Sequence, residues 1–252
     1  MKNALKELFR KVFELTGYTP VATKLFYDPQ RKRPITREDF FNLYFANVDP
    51  RRFFFVQLGA NDGKTGDPLY PYVTKYRLRG IAVEPQPRAF AALVKNYQDF
   101  PEVKCLQTAI GTTGEPLIFY SVKEEHHLPD RPTLMSNIAS FDKKHFLRGL
   151  VKKIPKDADP SIYTEETVIS APTFDRFAEV ERIEHINFLQ LDCEGMDWPI
   201  LRTIDLAKYR PDIINFESIT LLPKDRADAE TFLSQHGYQF FRCGIDTCAY
   251  RV

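Results

Sequence analysis

Apolar residues near the start of the chain fall at Leu5, Leu8, Phe9, Val12 and Phe13, the spacing of one face of an α-helix. Lys6, Arg10, Lys11 and Glu14 take the opposite face, and Gly17 supplies a stop. Such a helix packs on the main domain or on a second copy of the chain, giving a homodimer. The competing reading is a basic helix resting on a membrane surface. Arg31-Lys32-Arg33 before Pro34 reads as a solvated linker, and residues 1–50 form an N-terminal helical extension.

From residue 53 the pattern changes. Phe53 to Leu58 is a short apolar run ended by Gly59, as expected of a strand buried on both faces of a parallel sheet. Strands are predicted at 81–84, 103–110, 117–122, 185–192 and 212–217, and an antiparallel pair at 238–242 and 247–252. Helical spacing recurs after Pro87 (Phe90, Leu93, Val94, Tyr97), around Phe174, Phe177 and Val180, after Pro199 with Asp197 as its cap, and from Pro223 to His236. Alternating strands and helices predict an α/β domain over 51–252 with a mainly parallel sheet and right-handed crossovers. Residues 123–170, rich in proline and charge, break the alternation and read as an irregular lid or substrate loop.

Composition narrows the function. The 252 residues carry 35 Lys and Arg against 34 Asp and Glu, a net charge of +1, which gives no reason to expect nucleic acid as a partner. No apolar stretch is long enough to cross a membrane, and the charged first residues do not make a signal peptide, so a cytoplasmic protein is expected. Cys105, Cys193, Cys243 and Cys248 have neither disulfide-scaffold density nor zinc spacing and read as reduced thiols.

Ligands of open α/β sheets bind at the carboxyl ends of the strands. The first strand exits into Gly59-Ala60-Asn61-Asp62-Gly63-Lys64-Thr65-Gly66. The dinucleotide fingerprint fails because Asn61 stands where its second glycine belongs. The phosphate loop fails because it needs four residues between its glycines. A tight loop with an Asn-Asp pair remains, suited to a small polar ligand or simply to a structural turn. Glu84 ends the second strand, where a carboxylate can accept hydrogen bonds from both hydroxyls of a ribose, as in NAD and S-adenosylmethionine sites. Thr108 and Ala109 at the third strand end leave room for a flat base. Asp192, Glu194 and Asp197 crowd the next exit, and Glu217 adds an acid to the same rim. Apolar strands with acids only at their exits indicate a site, since an unpartnered buried charge is costly.

Gly59-Ala60-Asn61-Asp62-Gly63, Val83-Glu84-Pro85 and above all Leu191-Asp192-Cys193-Glu194-Gly195-Met196-Asp197 resemble the FkbM-type S-adenosylmethionine-dependent methyltransferases. Ile138 to Phe141, Phe216-Glu217 and Gly244 to Thr247 are similar to a bacterial branch of that family. The resemblance covers about residues 50 to 252. Cys193 and Ser218 depart from it, standing where members often have Val or Thr and where several have His. The resemblance implies a Rossmann-like class I methyltransferase fold, a seven-stranded sheet with its last strand antiparallel, and O-methylation of a sugar or other small-molecule or glycan hydroxyl. On this reading Gly59, Asn61 and Asp62 hold the methionine end of S-adenosylmethionine, Glu84 the ribose, and Thr108 and Ala109 the adenine. Asp192 lies nearest the sulfonium, and Glu194 and Glu217 are the candidate bases. His126, His127 and His145 could close over the site from the insertion, and Ser136 and Asn137 could contact the acceptor. Mg²⁺ or Mn²⁺ on Asp192, Glu194 and Glu217 is the mechanistic rival. A nicotinamide oxidoreductase and a non-catalytic binding protein are the alternative classes.

Overall fold

The computed structural model describes residues 36–126 and 138–251, together with the backbone of a short antiparallel pair, Tyr27–Asp28 and Arg33–Pro34. The helix expected around Leu5 to Phe13 lies outside the described residues.

The helix α1 (Arg37–Phe45) falls in the stretch read as a helical extension, at a place where no individual helix was expected. Its signal is a capping box: Thr36 Oγ1 accepts from Asp39 N, and Asp39 accepts from Thr36 N. The helix buries Phe40, Phe41, Tyr44 and Phe45. Then follow β1 (Phe54–Leu58), α2 (Tyr70–Tyr76), β2 (Arg79–Val83), α3 (Pro87–Asn96), β3 (Val103–Leu106), β4 (Leu117–Val122), α4 (Lys143–Leu150), α5 (Pro160–Tyr163) and β5 (Thr164–Ile169). The chain continues through α6 (Phe174–Val180), β6 (Phe188–Leu191), α7 (Asp197–Leu201), α8 (Leu206–Tyr209), β7 (Ile213–Glu217), α9 (Pro223–Gln235), β8 (Tyr238–Cys243) and β9 (Asp246–Arg251).

The main sheet has seven strands in the order β8-β9-β7-β6-β1-β2-β3. The run from β3 to β7 is parallel, and the last strand, β9, enters antiparallel between β7 and β8. This is a Rossmann-like α/β fold, and its order reverses at β1 and β6, so the crevice beyond their carboxyl ends is the expected ligand position.

Strand alternation feeds two cores. Phe55, Phe188, Ile213 and Tyr250 face α1 and α2, while Val56, Leu58, Leu189, Leu191, Ile214 and Phe216 face α6, α7 and α9. On the first face Phe41 meets Phe188 edge-on at 5.1 Å. Arg37 pairs with the buried Asp246, which accepts from Asn215 at 3.2 Å, and the same Asn215 amide reaches Gln190 at 3.1 Å. Residues 37–45 are therefore part of the domain's core.

Two expectations need adjustment. The third strand stops at Leu106 rather than Ile110, because its last ladder bond is Glu84 N to Leu106 O; Gly111 then bonds to Pro172 instead. Residues 123–170 are largely ordered among those described. β4 and β5 pair in a separate antiparallel ladder, and α4 packs Phe146 and Leu150 on it beside Val122 and Ile138. Among the described residues Pro160 opens α5, just before β5. Among the described residues no helix is long and apolar enough to cross a membrane, and all four cysteines are free.

Candidate active site

The parallel strands release their chains at one edge, and the residues that follow them surround one hollow that opens to solvent. Gly59 and Asn61 after β1, Glu84 after β2, Thr108 and Ala109 after β3, and Asp192, Cys193 and Glu194 after β6 all line it. Phe119, Ala139, Ser140 and Phe141 complete the wall from the β4–α4 cap.

Close approach of the β1 and β6 exits requires glycine at position 59. Its φ is +75°, and a Cβ there would sit 1.9 Å from the Asp192 carbonyl oxygen. Asn61, also left-handed at φ 50°, turns its backbone N–H to Glu84 Oε2 at 2.8 Å. Gln86 N donates to Glu84 Oε1 at 2.8 Å. Both carboxylate oxygens thus hold one backbone donor and retain acceptor capacity. Burial pushes the Glu84 carboxyl up to about 7 even though the two amides act to lower it, with Glu194 adding a smaller upward push.

Four acids share one field. Asp192 is exposed to the open hollow, yet protein surrounds it on most sides; this confinement, with Asp197, Glu194 and Glu217 nearby, pushes its carboxyl up to about 8. Among the described residues no donor reaches its carboxylate. Glu194 adopts φ 48° and lines the hollow. Its carbonyl accepts from Ser140 Oγ at 2.6 Å, and its Oε2 lies 3.1 Å from His145 Nε2. Glu217, the last residue of β7, is half-buried, accepts from Thr220 Oγ1 at 3.2 Å, and stays off the lining of the hollow. Burial and Glu194 raise its carboxyl.

Asp197 is not the cap expected of it. It is the first residue of α7, with Met196 in the cap position. It is fully buried, and its carboxylate accepts from Cys193 N at 3.3 Å, closing the 192–197 loop from beneath. Burial and then Glu217 push it up to about 7. The Cys193 thiol is raised by burial and by Asp197 and Asp192, which keeps it protonated.

The remaining expected residues lie elsewhere. Asp62 turns into its own loop, accepting from Lys64 N (2.9 Å), Thr65 N (2.7 Å) and Thr65 Oγ1 (2.6 Å). His126 packs against the Tyr163 ring at 4.4 Å, outside the lining of the hollow. Ser218 is buried and accepts from Thr247 Oγ1 at 2.8 Å. His127, Ser136 and Asn137 lie outside the described residues. Sequence reasoning did not find Phe119, Phe141 or the pairing of His145 with Glu194. Phe141 and His145 had flags, being in or near the family-like Ile138–Phe141 stretch, but nothing in the spacing placed them against the β6 exit. Among the described residues no three of the His, Cys, Asp and Glu side chains converge to hold a metal ion.

A family model described as the methyltransferase FkbM domain matches residues 57–240, well over half of the chain. No curated protein matches it. Similar solved structures include a methyltransferase FkbM from Methylobacillus flagellatus KT, 16% identical over 79% of this chain and 44% of that one, with a TM-score of 0.46. This chain therefore spans less than half the length of that relative. Others are a ribosomal protein L11 methylase from Lactobacillus delbrueckii subsp. bulgaricus (8% identical over 84% of this chain and 77% of that one, TM-score 0.39) and a precorrin-6y C5,15-methyltransferase from Geobacter metallireducens GS-15 (12%, 94% of each chain, 0.38).

Proposed function

This chain belongs to the FkbM methyltransferase family, and we propose that it moves the methyl group of S-adenosylmethionine to a hydroxyl oxygen of a sugar or other small-molecule or glycan acceptor. The observation that carries the reading is the convergence of Gly59, Glu84, Thr108, Ala109 and Asp192 on one hollow.

The residues fit the donor. Glu84 offers a carboxylate whose two backbone partners leave lone pairs for a vicinal diol. Gly59 removes the side chain that would fill the floor. Thr108, Ala109 and Ile110 give a flat, largely apolar border for a purine, faced by Phe119 and Phe141, whose ring centroids are 4.9 Å apart. Asp192 faces the place of a cationic sulfur, whose positive charge would draw its raised carboxyl back down into the ionised, negative form. When bound, S-adenosylmethionine supplies an electrophilic methyl group carried on that sulfur.

The chain's own work is alignment and proton removal. A neutral alcohol is a weak nucleophile, so a positioned base is worth ~10²–10⁴-fold. Glu194 lines the hollow and is the candidate for that base, with Glu217 reinforcing the local negative field. Ser136, Asn137, His126 and His127 remain proposed acceptor contacts, and Asn61 and Asp62 proposed supports of the methionine end.

Thermal-shift and calorimetric titration of the full chain with S-adenosylhomocysteine, NAD and ATP tests the donor. S-adenosylhomocysteine should bind and raise Tm; at 100 times its Kd the stabilisation is about 2.7 kcal/mol. NAD and ATP should leave Tm unchanged. Transfer of labelled methyl to a panel of methyl glycosides and hydroxylated polyketide lactones then tests the acceptor class. Binding of NAD alone would replace this reading with the oxidoreductase one.

A further inference from the structure

His145 comes from α4 of the cap, 49 residues before its partner, and it meets Glu194 at the β6 exit through a side-chain hydrogen bond. We infer that His145 is a positioning residue that holds Glu194 as the proton acceptor for the substrate hydroxyl, an inference that rests on the methyl-transfer reading above.

The geometry confines both partners. His145 Nε2 lies 3.1 Å from Glu194 Oε2, and among the described residues the other oxygen, Oε1, has no hydrogen-bond partner. The imidazole packs closely against Gly195: a Cβ on that glycine would stand 3.1 Å from Nδ1 and 3.4 Å from Cγ. Ser140, also from the cap, donates to the Glu194 carbonyl and pins the left-handed backbone at φ 48°. A left-handed non-glycine residue is strained and persists where its surroundings over-determine it. Here the over-determination aims one carboxylate oxygen at the cap and leaves the other for the hollow that Glu194 lines. The side chain of His145 is only 16% exposed, against 39% for Glu194, so the histidine backs the glutamate rather than meeting the acceptor itself.

In the reaction the acceptor's O–H bond breaks and its electron pair stays on oxygen to form the new O–C bond. The old C–S bond leaves its pair on sulfur, and the proton passes to Glu194 Oε1 and then to solvent. The charge on His145 sets how tightly it holds Glu194. The charged groups around the ring are Glu194 on the β6 loop and Glu217 on β7, which hold its proton, and Arg148 on its own helix, which opposes them. Asp142, also on the cap, is occupied in capping α4 through Lys144 N and His145 N. The balance raises the histidine above its ordinary value, led by the hydrogen bond to Glu194. While His145 is charged it holds Glu194 in an ion pair that competes with the substrate hydroxyl. Once neutral, its N–H still orients Oε2 without that penalty, so turnover should rise with pH as His145 deprotonates.

The test uses the full chain with S-adenosylhomocysteine bound. Histidine-ring NMR, with the His145 signal identified by its loss in His145→Asn, should show a midpoint above the ordinary ~6.5 that falls back in Glu194→Gln. Calorimetry should show S-adenosylhomocysteine affinity within about threefold of wild type in His145→Asn and His145→Gln. With labelled S-adenosylmethionine and the acceptor panel, His145→Asn should lower kcat at least about tenfold at pH 7, within the range that a base contributes. His145→Gln should recover part of that rate and lose the acid limb of the pH profile. A His145 midpoint that ignores Glu194→Gln overturns the inference, as does a loss of rate that leaves the wild-type pH profile in place. If wild type binds S-adenosylhomocysteine but methylates no hydroxyl, the transfer reading falls by itself; the NMR titration still decides the pairing.

Discussion

The loop after β1 and the loop after β6 touch at the sheet edge, where Gly59 abuts the Asp192 carbonyl, yet they spend their acids differently. In the first, Asp62 accepts two backbone amides and a hydroxyl of its own loop. In the second, Asp192 takes no donor among the described residues, and Glu194 has one partnered oxygen, supplied from 49 residues away. Glu84 falls between these cases, holding the β1 loop through Asn61 N while facing the hollow. An acid at a strand exit is thus structural when its own loop consumes its lone pairs, and available to a ligand when the loop leaves them over.

The largest effect that can break this contrast is at Asp192. Asp192→Ala should lower methyl transfer by roughly 10²–10³-fold, the usual cost of losing one preorganised electrostatic group, as measured with labelled S-adenosylmethionine. The fold should survive, because the carboxylate holds none of the described backbone. Glu84→Ala should weaken S-adenosylhomocysteine binding by about 10- to 100-fold in calorimetry, since hydrogen bonds to a charged group are worth ~1.5–3 kcal/mol. It should also loosen the β1 loop. Asp62→Ala should do the reverse, costing about 1–3 kcal/mol in urea unfolding through orphaned donors while changing donor affinity by only a fewfold. An Asp62→Ala loss of affinity as large as that of Glu84→Ala would erase the distinction between the loops.

The strand exits were legible because a buried parallel strand has almost no polar residues until it leaves the sheet. Gly59, Glu84 and Asp192 stood out on that ground, and the structure brings them to one hollow. Local chemistry competed with that signal at Asp197, which precedes a helical turn as a cap would but lies one position inside it and is buried under the loop. At Asp62 the sequence left a turn and a ligand loop both open, because an Asx-type turn and a ligand loop use the same residues. The helix α1 was missed although the Thr36–Asp39 capping box and the buried run from Phe40 to Phe45 were readable. His145 could not have been paired with Glu194 from the sequence, since tertiary packing of the cap alone brings them together.

The smallest effect is a pH dependence. Folding raises the carboxyls of Glu84 and Asp197 to about 7 and of Asp192 to about 8. The folded state therefore holds these protons more tightly than the unfolded chain does. That contribution is full below the ordinary carboxylate range near 4 and is lost as pH rises through 7 to 8. The ligand-free Tm should fall between pH 5 and pH 8, on the order of 2–4 °C for each kcal/mol lost. Asp197→Asn should flatten part of that slope in thermal melts.

A crystal structure of the full chain with S-adenosylhomocysteine tests the central claim most directly. The account predicts both ribose hydroxyls within hydrogen-bond distance of the Glu84 carboxylate, adenine between Ala109 and the Phe119–Phe141 wall, and sulfur beside Asp192. A ligand seated elsewhere, or one whose ribose turns away from Glu84, would contradict it.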